Sequence, residues 1–110
     1  MATLNKHLEK AERLIHKGKL EEGLEELLLA RKELPADDSI VLDIAETYLK
    51  LNRLRECRHC YGTLFDKYAE KNDPQRALVH FASLQKYGPV EPKRLIAHAQ
   101  FMASGRGEHT

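Results

Sequence analysis

Cys57-Arg58-His59-Cys60 is the stretch of this 110-residue chain whose residue types could do metal or redox chemistry. Zinc takes about four ligands in a tetrahedron. The cluster offers two thiolates on one helical turn, with His59 directed elsewhere, and the sequence holds no second CxxC and no HxxxH. His80, on the following helical segment, is the further ligand that could approach. Thioredoxin-type CxxC pairs follow a strand, whereas this pair lies inside a helical pattern. Packing is the simpler account, because free Cys behaves as a small buried hydrophobe. The histidines His7, His16, His59, His80, His98 and His109 fall into no HExxH or paired spacing. A glycine-rich phosphate loop, a GxSxG elbow and a nucleophile–base motif are also missing from the sequence. The expectation is a protein without metal, cofactor or catalytic site.

Charge excludes further classes. Eighteen basic and 17 acidic residues leave a formal net charge of +1, with no general attraction to nucleic acid or an acidic membrane. The segment MATLNKHLEKAERL has no long apolar core, so neither a signal peptide nor a membrane anchor is expected. No apolar run approaches the roughly 20 residues that span a bilayer. Two Cys cannot build a disulfide framework, and a reducing, cytoplasmic setting is expected.

The elements that would position any site are helical. Leu4, Leu8, Ala11, Leu14 and Ile15 are spaced by three and four, which predicts a helix over 4–17 with Thr3 as its cap and Gly18 as its left-handed stop. A second helix, 20–34, carries Leu20, Leu24, Leu27, Leu28 and Leu34 and ends at Pro35. Its glutamates cluster near the beginning, with Arg31 and Lys32 near the end, as the helix dipole prefers. A third, 39–51, buries Ile40, Val41, Ile44, Ala45, Tyr48 and Leu51, and Asn52 ends it. The fourth runs from about 53 to 71, weakened at Gly62 by ~1 kcal/mol relative to Ala. Asp73-Pro74 restarts a fifth helix that ends at Gly88-Pro89. Glu91-Pro92 starts a sixth with Leu95, Ile96, Ala99 and Met102, followed by a polar tail, 105–110, expected to be disordered.

The pattern recurs after 34 residues (52 − 18 = 34): Ala11 returns as Ala45, Leu14 as Tyr48, Gly18 as Asn52, Leu20 as Leu54, Gly23 as Cys57 and Leu27 as Tyr61. With Ala30, Pro35 and Phe65, these residues resemble the tetratricopeptide repeat (TPR) family. Small residues stand where paired helices cross, and bulky ones fill the space between. The resemblance implies an all-α fold of about six helices, antiparallel pairs stacked as a short right-handed superhelix over 3–104. Repeats would span about 4–37 and 38–71, with a degenerate pair over 72–104. Leu64 and Ala69 depart from the family's Ala and Pro. In a second arrangement, Asn72 to Leu84 forms the second helix of a repeat closed by Pro89, and helix four serves two repeats.

What the resemblance implies about function is a scaffold-like, non-enzymatic module that binds a protein or peptide partner in a concave groove. The groove residues would be Asn5, Leu8, Glu12 and His16, with Ser39, Leu42, Glu46 and Lys50 each 34 residues later. They form an apolar strip beside paired carboxylates, suited to an extended or helical segment carrying Leu-like and basic side chains. The alternative is that Leu8 and Leu42 are covered and the glutamates merely solvated. Carboxylate-clamp TPRs grip acidic tails with Lys, Asn and Arg, a chemistry that Glu12, Leu42 and Asp43 do not supply. Ile96, Phe101 and Met102 are apolar for a terminal helix. They are expected to mediate self-association, as a homodimer, or to dock a continuation of the chain.

Overall fold

Helix starts and stops follow local hydrogen bonding. In the computed structural model, which describes residues 5–108 and side chains through Ala103, six helices account for the regular structure. They are α1 (Lys6–His16), α2 (Leu20–Glu33), α3 (Asp38–Lys50), α4 (Leu54–Glu70), α5 (Pro74–Lys86) and α6 (Pro92–Glu108). No strand occurs among the described residues, so the all-α class holds. The Asn5 side chain caps α1 by accepting from the backbone N–H groups of His7 and Leu8, while Thr3 lies outside the described residues. Asp37 caps α3, and Asp73 caps α5 with Pro74 in its first turn. The α6 backbone continues to Glu108, through positions where a tail had been expected from Gly105.

Three turns share one geometry. Gly18, Asn52 and Asn72 have φ of 84°, 62° and 57°, the left-handed region. The next N–H, from Lys19, Arg53 or Asp73, donates to the carbonyl five residues back, on Leu14, Tyr48 or Tyr68, at 2.8–2.9 Å. This is the six-to-one closure that satisfies a helix's last carbonyls and reverses the chain. Gly18 and Asn52 are the stops expected from sequence, and Asn72 is a third of the same kind.

The chain divides into two compact units at Cys60–Tyr61, within α4. In the first, Ala11, Leu24, Leu27, Ala30, Ile40, Val41, Ile44, Ala45, Cys57 and Cys60 are buried. Gly23 lets α2 close on α1: a Cβ there would lie 2.6 Å from Ile15 Cγ1 and 3.3 Å from the Ala11 carbonyl oxygen. Polar contacts hold the same pair where α1 begins and α2 ends. His7 Nδ1 lies 2.7 Å from Glu26, and Asn5 donates to Glu33 at 2.7 Å. The hydrogen bond with His7 holds the Glu26 carboxyl below its ordinary range. Leu28 and Leu34, expected on the inner face of α2, are exposed instead, because Leu24, Leu27 and Ala30 already occupy that face.

The second unit has its own core of Phe65, Tyr68, Ala77, Phe81 and Leu84, with Ala97 and Phe101 of α6 packed against it. The His98 ring stacks on Phe81, centroids 3.9 Å apart. Arg94 of α6 grips Asp66 of α4 with two hydrogen bonds, Nε at 3.0 Å and Nη2 at 2.9 Å. Its guanidinium crowds the place a Cβ on Gly62 would take, the nearest atoms being 2.7 Å from that point. The glycine that weakens α4 is thus the seat of a cross-helix ion pair. Gly62→Ala is expected to stabilise an Arg94→Ala background by about 1 kcal/mol, from helix propensity alone. The gain should be smaller or absent beside Arg94, a coupling that chemical denaturation of the four variants reads directly.

Candidate functional site

α1 and α3 wall an open groove of about 900 Å³ lined by Leu8, Glu9, Glu12, Arg13, Ile15 and His16 on one side and Asp43, Glu46, Thr47 and Lys50 on the other. Leu27 of α2 closes the floor and is buried. On α3, positions 43, 46, 47 and 50 are spaced as neighbours along one helical face. Thr47 is buried and donates its hydroxyl to the Asp43 carbonyl at 2.8 Å, so it is satisfied within its own helix.

Five of the eight residues expected in the groove line it: Leu8, Glu12, His16, Glu46 and Lys50. Three do not. Asn5 caps α1, and its amide is bonded to Glu33. Ser39 sits in the first turn of α3, bonded through its N–H and its hydroxyl to Asp37. Leu42 is exposed and lies outside the lining. The groove adds Glu9, Arg13, Ile15, Leu27, Asp43 and Thr47 to the expected set.

Its electrostatics centre on Asp43. Burial in the groove wall pushes its carboxyl above the ordinary range, and the like charges of Glu46, Asp37 and Glu12 push it further. Although Asp43 is reached by water, the concave wall removes enough solvent to disfavour the charge. Because folding raises this pKa, the native state takes up a proton more readily than the unfolded chain. The charged form therefore costs stability at neutral pH and nothing once both states are protonated. Asp43→Asn is expected to raise Tm at pH 7, with the gain vanishing below roughly pH 4, where an unfolded Asp is protonated. A thermal melt series across pH checks this.

The other positions that sequence singled out lie elsewhere. Cys57 and Cys60 are buried free thiols. Burial pushes both upward, Cys60 to about 11, the reverse of an activated thiolate. No cluster of three or more His, Cys, Asp or Glu able to hold a metal occurs among the described residues. His80 is buried against the Tyr68 ring. On α6, Leu95, Ile96 and Met102 are exposed, Ile96 by 61%, whereas Phe101 packs on the second unit's core. A second apolar surface, Leu28, Leu29 and Pro35 rimmed by Glu25, Arg31 and Lys32, lies on the outer side of α2. Among the described residues no helix is long and apolar enough to cross a membrane. No protein-family model matches the chain, and no curated protein matches it.

Proposed function

We propose that the chain is a non-enzymatic protein-interaction module of TPR type, presenting the α1–α3 groove to a peptide or helix of a partner protein. The observation that carries this reading is the groove itself. Leu8 and Ile15 offer apolar contact above the buried Leu27, and Glu9, Glu12, Asp43 and Glu46 bring four carboxylates to the same concavity. An apolar floor with a few charged groups selects a segment by shape first and by charge second.

The recurrence of one turn at Gly18, Asn52 and Asn72 supports the repeat character. After each turn, at the same offset, a small residue is buried: Gly23, Cys57 and Ala77. Leu27, Tyr61 and Phe81 then stand at the next shared position, and Ala30, Leu64 and Leu84 at the one after. In this reading α4 serves as the second helix of one pair and the first of the next.

The test uses peptides selected from a displayed library on the wild-type chain. Leu8→Asp, and separately Glu12→Lys with Glu46→Lys, are expected to weaken their binding by about tenfold or more, as losing a central contact or two charges does. Unchanged affinity in variants that circular dichroism shows to be folded would sink the groove as the binding site.

A further inference from the structure

The outer face of α2 is apolar at its middle and oppositely charged at its two ends. Glu25, Leu28, Leu29 and Lys32 are all exposed, and their spacing puts them on one side of the helix. With Arg31 and Pro35 they line a shallow hollow of about 720 Å³. Leu24, Leu27 and Ala30 are buried on the other side, where Leu27 closes the groove floor.

Glutamates early and cations late suit any single helix's dipole, so their order alone says nothing about a partner. Pairing within the chain separates them. Glu21 meets Arg53 at 3.5 Å, Glu26 meets His7 at 2.7 Å, and Glu33 accepts from Asn5 at 2.7 Å. Among the described residues Glu25 and Lys32 have no such partner. Seven residues apart, they stand roughly 10 Å from each other along the helix axis, too far to pair with one another. The midpoint between them falls between Leu28 and Leu29. The other exposed stripe, Leu95, Ile96 and Met102 on α6, lies in a run, 95–105, without Asp, Glu, Lys or Arg, so no charge there selects a partner or a register.

We propose that this face of α2 is a self-association surface, on which a second copy of the chain lays its own α2 antiparallel across a two-fold axis. The axis passes between Leu28 and Leu29, and the four leucines of the two copies cluster around it. One turn to either side, Glu25 of one copy meets Lys32 of the other. A two-fold contact makes each pairing twice, so a single chain supplies both halves of a charge-complementary surface. A parallel pairing would instead set Glu25 against Glu25 and Lys32 against Lys32. A contact between two helices of about four turns is small for a protein interface, and the dimer is transient, with a dissociation constant on the order of 0.1 mM. It leaves both grooves open, and a partner carrying two binding segments gains avidity from it.

Sedimentation equilibrium of the full chain between about 10 µM and 1 mM brackets that constant. The expected result is a reversible monomer–dimer equilibrium, weakened about tenfold or more by Glu25→Lys and by Lys32→Glu, each of which turns both ion pairs into repulsions. Mixing those two variants, or combining both changes in one chain, is expected to restore dimerisation to within about threefold of wild type, because opposite charges meet again. Leu28→Glu is expected to abolish the dimer, with circular dichroism checking that each variant is folded. A chain that stays monomeric at about 1 mM overturns the proposal. So does a dimer indifferent to both charge reversals, or one lost on Ile96→Glu and kept on Leu28→Glu. A mixture of the two single variants that associates no better than either alone overturns it as well.

Discussion

Phe65→Ala is expected to cost about 3–5 kcal/mol, the usual range for deleting a fully buried aromatic ring. Phe65 is 1% exposed and stands among Tyr68, Ala77, Phe81 and Leu84, its ring centroid 5.6 Å from that of Phe81. Neighbours on rigid helices collapse only partly into the vacated space, so the loss includes a cavity as well as a transfer contribution. Against a total stability on the order of 5–15 kcal/mol, that is about a third or more of the whole at all but the upper end of the range. Val79→Ala on α5 is the control: the residue is 63% exposed, and its replacement should change stability by no more than about 0.5 kcal/mol. Urea titration followed by circular dichroism compares the midpoints. A Phe65→Ala loss below about 1 kcal/mol would mean that this cluster is not the core of the unit.

Gly23→Leu is expected to cost about 1–3 kcal/mol by overpacking, despite the roughly 1 kcal/mol that leaving glycine returns to the helix. The conflict is local and specific. A Cβ at position 23 would stand 2.6 Å from Ile15 Cγ1, an atom close to the α1 backbone, and 3.3 Å from the Ala11 carbonyl oxygen, which is backbone itself. Neither can give way unless α1 lifts from α2. Adding Ile15→Ala removes the first obstacle and should recover part of the loss, which makes the two changes non-additive. If Gly23→Leu proves neutral, close approach of these helices is not what the glycine provides. Ile15 also lines the groove, so any displacement of α1 should register there as weaker peptide binding.

Much of the helical architecture was legible because its signals are local. Gly18 and Asn52 end helices through backbone conformations that few other residues adopt, and Asp73-Pro74 starts one through a cap and a fixed φ. Asn72 carried the same signal as Asn52 but stood beside the stronger Asp-Pro mark, 20 residues after Asn52 and so off the 34-residue beat. Side-chain orientation was less legible. Leu28 and Leu34 are as apolar as Leu24 and Leu27, and only packing decides which of them a helix turns inward. On α6 hydropathy did not mark the inward face: Arg94 and His98 lie toward the second unit with Phe101, which was expected on an exposed surface, while Ile96 and Met102 face out. An Arg paired with Asp66 above a glycine and a His stacked on Phe81 lower the energy of that inward face through partners that lie 28 and 17 residues away in sequence (94 − 66 and 98 − 81). At the groove, Leu8, Glu12 and His16 are positions that the TPR resemblance implies, not ones that spacing alone gives. Asp43 and Thr47 were missed because the lining face of α3 is rotated by one residue from the row through Ser39 and Leu42.

The most direct test of the groove is an amide chemical-shift map of the isotope-labelled full chain titrated with the library-selected peptides. Perturbations gathered on Leu8, Glu12, Ile15, Thr47 and Lys50 are the predicted result. Perturbations gathered instead on Leu28, Leu29 and Pro35, or on Leu95, Ile96 and Met102, with α1 and α3 unmoved, would contradict it.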